Sequence, residues 1–193
     1  KLYTAQGCIG AEEYDNSHKG RYMDTITLLN LDKIENTRFC DMGSGSGWIL
    51  KKMSKSNHLV AIDAVKFEHE YIKFYQANFD YDRFSHDIDE DLFDYIMCLE
   101  TFEHLSNPYN FVFEMKQMLK PHGKLVVSIP DEDVQHNTYY PGLIYPVDNF
   151  LYFMQQMAFK LEKGWHQKTE FGHIWLSVFR NEPWGKHIMK FQK

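Results

Sequence analysis

Cysteine is scarce in this chain. Cys8, Cys40 and Cys98 form an odd, widely spaced set with no CxxC pair, so neither a disulfide framework nor a zinc knuckle is indicated, and a reducing cytoplasm is the expected compartment. Long apolar runs are missing as well. No stretch approaches the roughly 18 consecutive apolar residues of a membrane-spanning helix, and no charged-then-apolar leader opens the sequence, whose first residue is Lys1 and not Met. Positive charge is in deficit: the formal net charge is -6. A broad nucleic-acid footprint is therefore not expected, because phosphate binding draws on a clustered excess of Lys and Arg. Repeats, low-complexity tracts and linkers are absent too, so nothing divides the chain. What is present is apolar mass: of 193 residues, 44% are hydrophobic and 16% aromatic, enough for a single domain, 1–193, with one substantial core.

The order of elements is read from periodicity. Tyr22, Ile26 and Leu29 recur at near-helical spacing after a capping stretch "YDNSHKGR", which predicts a leading helix ending near Asp32. The run "TRFCDM" reads as a strand that ends at glycines, followed by a helix with Trp48, Ile49, Leu50 and Met53 on one side. A second unit comes next, with "HLVAID" as a buried strand and Phe67, Tyr71 and Phe74 as a helical stripe. "LFDYIMCLE" is a third strand, Phe111, Val112, Met115, Met118 and Leu119 mark a helix, and "GKLVVSIP" is a strand after a Pro/Gly turn. Strands alternating with helices imply an α/β fold with a doubly wound, mainly parallel sheet and helices on both faces. Farther on, Phe150, Met154, Met157, Ala158 and Leu161 outline one more helix, and "KHIMKFQ" a last strand.

The chemistry concentrates in "FCDMGSGSGWIL". A glycine-rich bend at the carboxyl end of a first strand lets a ligand approach the backbone where side chains would collide. The dinucleotide fingerprint places its third glycine where Trp48 stands, so a nicotinamide-dependent oxidoreductase is disfavoured. The observed pattern, Asp41 then Gly43, Gly45 and Gly47, resembles the first motif of the class I S-adenosylmethionine-dependent methyltransferases. Further stretches fall in that family's order: Asp63 closing the second strand, "SHDI" with Asp87, "LFDYIMCLETFEHL", and "MLKPHGKLVVSIPD", in which His122 replaces a common glycine. The resemblance covers residues 37–131. It implies a Rossmann-like fold, S-adenosyl-L-methionine as cofactor and S-adenosyl-L-homocysteine as product. It also implies a set of cofactor-binding positions. Asp41 faces the methionine amino end, Gly43, Ser44, Gly45 and Gly47 form the loop beneath it, Asp63 with Ala64 takes the ribose, Asp87 with Ile88 the adenine, and Leu99 closes the site at the fourth strand.

The acceptor side is read more coarsely. A sulfonium methyl is already activated, so alignment supplies much of the rate. A base is needed where the nucleophile carries a proton: His104 beside Glu103 and His173 in "EFGHIWL" are the candidates, with Asp131 on the same rim as an acceptor contact. For each the alternative is structural: a histidine tied to backbone, an aromatic cluster with Phe171 and Trp175, and a turn former. "DEDVQH" lacks a second ligand cluster, so no metal is expected. Tyr139, Tyr140 and Tyr145 sit among prolines and a glycine in a segment, 131–175, expected to act as an acceptor lid. The function so implied is methyl transfer to an oxygen or nitrogen of a small-molecule acceptor, with a homodimer left open. The alternative is a methyltransferase-like binding or partner subunit without turnover.

Overall fold

The computed structural model describes residues 11–131, 147–169 and 172–183. Helix α1 spans Ala11–Leu29. The sheet strands β1 Arg38–Met42, β2 His58–Asp63 and β3 Ile72–Gln76 come after it. Then come the short helix α2 Phe84–Asp87, β4 Phe93–Leu99, α3 Pro108–Met118, β5 Leu119–Pro130, α4 Val147–Gln156, β6 Phe159–Thr169 and β7 Gly172–Asn181. They form one seven-stranded sheet in the order β3-β2-β1-β4-β5-β7-β6. β1 to β5 pair in parallel, and β7 inserts antiparallel between β5 and β6. The doubly wound, mainly parallel sheet expected from the sequence is the one observed.

Strand alternation divides the core into two faces. Cys40, Val60, Ile62, Ile96, Cys98, Leu125 and Val127 point to one side, where α2, α3 and α4 add Phe84, Phe111, Val112, Met115, Phe150 and Met154. Phe39, Leu59, Ala61, Met97, Val126, Leu176 and Val178 point to the other, where Ile26 of α1, Ile49, Leu50 and Met53 cover them. Helix α3 shows why its residues choose a helix: Asn107 accepts from the Asn110 amide at 3.3 Å, Pro108 occupies the first turn, and residues 111, 112, 115 and 118 are buried at helical spacing.

Several expectations are corrected by competing local physics. No α-helix continues from the glycine loop: residues 45–49 are turns and only Leu50–Lys52 forms a single 3₁₀ turn. Phe67, Tyr71 and Phe74 do not share a helix either. Residues 64–71 are a loop and "IKFYQ" is β3, because a run of β-branched and aromatic residues fits a pleated surface as readily as a helical stripe. "YDNSHKGR" lies inside α1, not ahead of it. The final helix stops at Gln156, since Ala158 turns left-handed at φ 58° and Leu161 falls on β6. The β6–β7 hairpin is an addition to the expected elements. Its outer strand alternates weakly and is rich in lysine, although "HIWLSVF" carries a strand signal that could have been read. "KHIMKFQ" lies outside the described residues.

The end of the sheet is fastened by Lys116, buried at 6% exposure. Its Nζ donates to Ala158 O at 3.1 Å, Asn181 Oδ1 at 2.5 Å and Glu182 O at 2.9 Å, and lies 4.4 Å from the centre of the Phe159 ring. Asn181 in turn donates to Leu119 O and Lys120 O. Helix α3 is thereby tied to both ends of the hairpin. Burial pushes the Lys116 ammonium down to about 8. The unfolded chain therefore binds more protons above that pH, and this group makes stability rise between about pH 8 and the ordinary lysine value. Lys116→Met should leave three acceptors without their donor and cost about 2–4 kcal/mol at pH 7 in urea unfolding. The same variant should also lose the rise in stability on going from about pH 8 to about pH 10.

Candidate active site

Parallel strands bring the carboxyl ends of β1, β2 and β4 to one rim. There Gly43 N–H donates to Ile62 O at 2.9 Å, and Asp63 clamps the loop: its Oδ2 accepts from Gly45 N–H at 2.9 Å and its Oδ1 from Val65 N–H at 3.0 Å. Burial pushes the Asp63 carboxyl up, while these backbone donors and that of Ala64 pull it down. Each carboxylate oxygen has a second lone pair for a further donor.

All three loop glycines have positive φ: 77° at Gly43, 53° at Gly45 and 72° at Gly47. Their surroundings differ. A Cβ on Gly43 would sit 2.1 Å from Thr101 Oγ1, and one on Gly47 2.5 Å from Phe67 Cζ, whereas one on Gly45 would meet nothing within 4 Å. Two glycines therefore make room for the protein's own side chains, and Gly45 faces open space. Asp41 is buried at 5% exposure near the end of β1, and Ser44 Oγ is buried without a hydrogen-bond partner among the described residues.

The loop after β4 closes the rim. Leu99 is half-buried. Glu100 adopts φ 49°, unusual outside glycine, and is held on two sides. Its N–H donates to Ser128 Oγ at 3.0 Å, the same hydroxyl donates to its Oε1 at 2.7 Å, and Arg21 of α1 pairs with its Oε2 at 3.2 Å. The ring of Phe102 anchors the turn Phe102–His104, packing edge-on to Phe111 at 5.2 Å and to Phe150 at 5.5 Å. Asp80 steadies the start of α3, accepting from Ser106 and Asn107 N–H at 2.8 and 3.0 Å. Glu103 is 2% exposed, and its Oε1 lies 3.7 Å from His104 Nε2. Its carboxyl is pushed well up by burial and by the nearby Glu100 charge. From the other side, Tyr22 of α1 packs on Trp48 at 5.6 Å, so α1 touches both loops.

The remaining sequence candidates divide. Asp131 pairs with His166, and its N–H donates to His173 O at 3.0 Å. The antiparallel pairing of β5 with β7 puts Asp131, His166 and His173 at the same end of the sheet as the β4 loop. Trp175 packs on His166, not on His173. Phe171, Tyr139, Tyr140 and Tyr145 lie outside the described residues, and within 131–175 residues 147–156 are helix and 159–169 strand.

Asp87 is exposed on α2, Ile88 is buried in the core, and Ser85 on the same short helix binds Glu114 midway along α3. The chain then runs to the amino ends of the strands, where Glu90 binds Arg38, His58 and Lys73. These contacts tie Glu90 to the amino ends of β1, β2 and β3. Gln76 and Ala77 lie beside Asp63, with Ala77 N–H donating to Asp63 O and Gln76 Nε2 to Ala64 O. Arg21, Glu100 and Ser128 carry no local sequence signal, since three distant elements must fold to join them. Among the described residues no group of three or more His, Cys, Asp or Glu is placed to hold a metal ion.

A family profile described as "Methyltransferase domain" matches residues 14–192. The chain belongs to the methyltransferase domain family. This methyltransferase domain is 28% identical over 133 residues to the ubiquinone biosynthesis O-methyltransferase of Rickettsia typhi, covering 65% of this chain but 54% of that protein, about half its length. Among solved structures it resembles a chain of the complex between the Haloferax volcanii Trm112 methyltransferase activator and a methyltransferase, with TM-score 0.67 at 14% identity over 92% of this chain and 98% of that one. It also resembles the Burkholderia thailandensis 1,6-didemethyltoxoflavin-N1-methyltransferase with bound 1,6-didemethyltoxoflavin and S-adenosylhomocysteine, with TM-score 0.63 at 14% identity over 91% and 88%. At these identities the structures establish the class I fold.

The glycines of the methyltransferase domain should separate on substitution. Gly47→Ala drives a methyl into Phe67 and should cost several kcal/mol, on the scale of overpacking added to left-handed strain. Gly45→Ala meets only the strain and should cost about 1 kcal/mol. Thermal unfolding of the two variants reads the difference.

Proposed function

We propose that the chain transfers a methyl group from S-adenosyl-L-methionine to an oxygen or nitrogen of a small-molecule acceptor. The observation that carries this reading is the open space over Gly45, bordered by a carboxylate whose loop-side lone pairs are already engaged. Such a cradle suits a neutral nucleoside whose ribose hydroxyls donate to Asp63. Asp41, Gly43, Ser44 and Gly45 would hold the methionine end, with Ser44 Oγ offering a buried polar partner. Ala64 and Asn78 flank the adenine side, and Leu99 closes the rim. When bound, the cofactor supplies a methyl activated by its sulfonium.

The protein's own part is to align the acceptor and to exclude water. Similarity to an O-methyltransferase from Rickettsia typhi and to an N1-methyltransferase from Burkholderia thailandensis supports oxygen or nitrogen as the acceptor atom. In this reading His104 or His173, with Asp131, takes up the acceptor proton, supported by their place at the carboxyl end of the sheet. No helix among the described residues is long and apolar enough to cross a membrane.

Calorimetry with S-adenosylhomocysteine tests the cofactor directly: folded protein should bind it, and absence of binding would overturn the reading. Asp63→Asn should weaken binding by roughly 10–100-fold, the scale of charge-assisted hydrogen bonds. Hydroxyl donors require the ionised carboxylate. Because burial raises the Asp63 carboxyl, affinity should fall on acidification at a higher pH than for an ordinary aspartate. A screen of phenolic, amine and carboxylate metabolites for release of S-adenosylhomocysteine then identifies the acceptor class.

A further inference from the structure

We infer that Gln167 holds the far end of the methyl acceptor, so that this site takes an elongated, neutral molecule carrying a hydroxyl or carboxamide away from its reacting atom. The inference rests on the methyl-transfer reading for the identity of the ligand, and on geometry for the place where it binds. Gln167 lies near the end of β6 and is 8% exposed. Its Nε2 and its Oε1 are both buried with no hydrogen-bond partner among the described residues. An amide stripped of water at both ends costs stability, and native chains satisfy nearly all such groups. A ligand group that offers one donor and one acceptor satisfies both ends at once.

The strand registers show where this amide lies. Gln167 pairs with Ile174 and Ile174 with Pro130, at the carboxyl end of β5. The adjoining row is Trp165, Leu176 and Ser128, and Ser128 Oγ accepts from Glu100 N–H in the loop after β4. Leu176 and Trp165 belong to the core beneath α1, so alternation puts Gln167 on that face too, and α1 packs against β6. Asp41 and Asp63 alternate onto the same face, two residues beyond Phe39 and Ala61. The cofactor cradle and Gln167 therefore stand at two ends of one edge. From β4 to β6 the sheet takes three inter-strand steps, about 14 Å, so an acceptor with its reacting atom over β4 has to be elongated to touch the amide. Charge narrows the class further. The Arg21 guanidinium is paired with Glu100 at 3.2 Å, and His166 and Lys168, the neighbours of Gln167 on β6, alternate onto the opposite face. A carboxylate beside the amide would be buried without a counter-charge from any of them, at a cost that neutral hydrogen bonds do not offset. A hydroxyl or carboxamide carries no such penalty.

The test uses the full chain with benzamide, phenol and benzoate as probes. The side-chain amide signal of Gln167 in NMR, assigned by its loss in Gln167→Leu, should move with benzamide and with phenol and move less with benzoate. Benzamide should bind Gln167→Leu about tenfold more weakly, the scale of two neutral hydrogen bonds. A signal unmoved by either neutral probe, equal benzamide affinity in the two proteins, or benzoate moving the signal as far as benzamide does, overturns the proposal. Stability gives a second readout. Leucine removes two unpaired polar atoms from a buried position, so Gln167→Leu should raise the thermal midpoint by about 2–4 °C. A midpoint that stays or falls makes the amide a structural partner and overturns the assignment. S-adenosylhomocysteine should bind both proteins equally. Failure of the unaltered protein to bind it would instead remove the methyl-transfer reading and leave the probe results standing. Once an acceptor is known, its KM should rise about tenfold in Gln167→Leu with kcat little changed.

Discussion

The site depends on one carboxylate that joins two strands. Asp63 closes β2, yet its oxygens are held by the amides of Gly45, beyond β1, and Val65, in its own adjoining loop. Parallel pairing of β1 with β2 brings these groups together without further help, because equal registers from Arg38↔His58 to Met42↔Ile62 end both strands at the same height. The remaining loop geometry is set by that clamp. With Gly45 fixed from behind, its other side opens, and Gly43 and Gly47 turn left-handed to let Thr101 and Phe67 close around it.

This economy shows in how the sheet faces are covered. The face carrying α2, α3 and α4 is filled by phenylalanine rings in edge-on contact, including Phe102, so the β4 loop is braced by the core itself. The other face has α1, the two 3₁₀ turns Leu31–Lys33 and Leu50–Lys52, and loop aromatics. There α1 has two tasks. Its Ile26 is core, while Arg21 and Tyr22 reach the loops after β4 and β1.

Legibility in the sequence tracks the kind of signal each part leaves. β1, β2, β4 and β5 are readable because buried parallel strands appear as short apolar runs, and Asp63 is readable because it ends one of them. The glycines can be placed, but not their different tasks, which depend on Thr101 and Phe67 arriving from elsewhere. β3 reads wrongly as helix since Phe67, Tyr71 and Phe74 satisfy helical spacing while Ile72 and Phe74 satisfy alternation, and only its pairing with β2 decides. Beyond α2, Glu90 pairs with Arg38, His58 and Lys73 at the starts of three different strands, a meeting that no local pattern announces. Arg21 and Ser128 are illegible because their meeting point exists only in three dimensions.

The missing helix behind the glycine loop has a consequence for how the cradle keeps its shape. A helix would brace that segment with a ladder of main-chain bonds, whereas residues 43–53 have a few turn bonds such as Gly47 N–H to Ser44 O and Lys51 N–H to Gly47 O. Order there is borrowed from neighbours, namely the Asp63 clamp, the ring of Phe67 against Gly47 and the ring of Tyr22 against Trp48. An occupant that donates to the same carboxylate stiffens the cradle as it settles, so filling the site and firming this half of the sheet are thermodynamically one event.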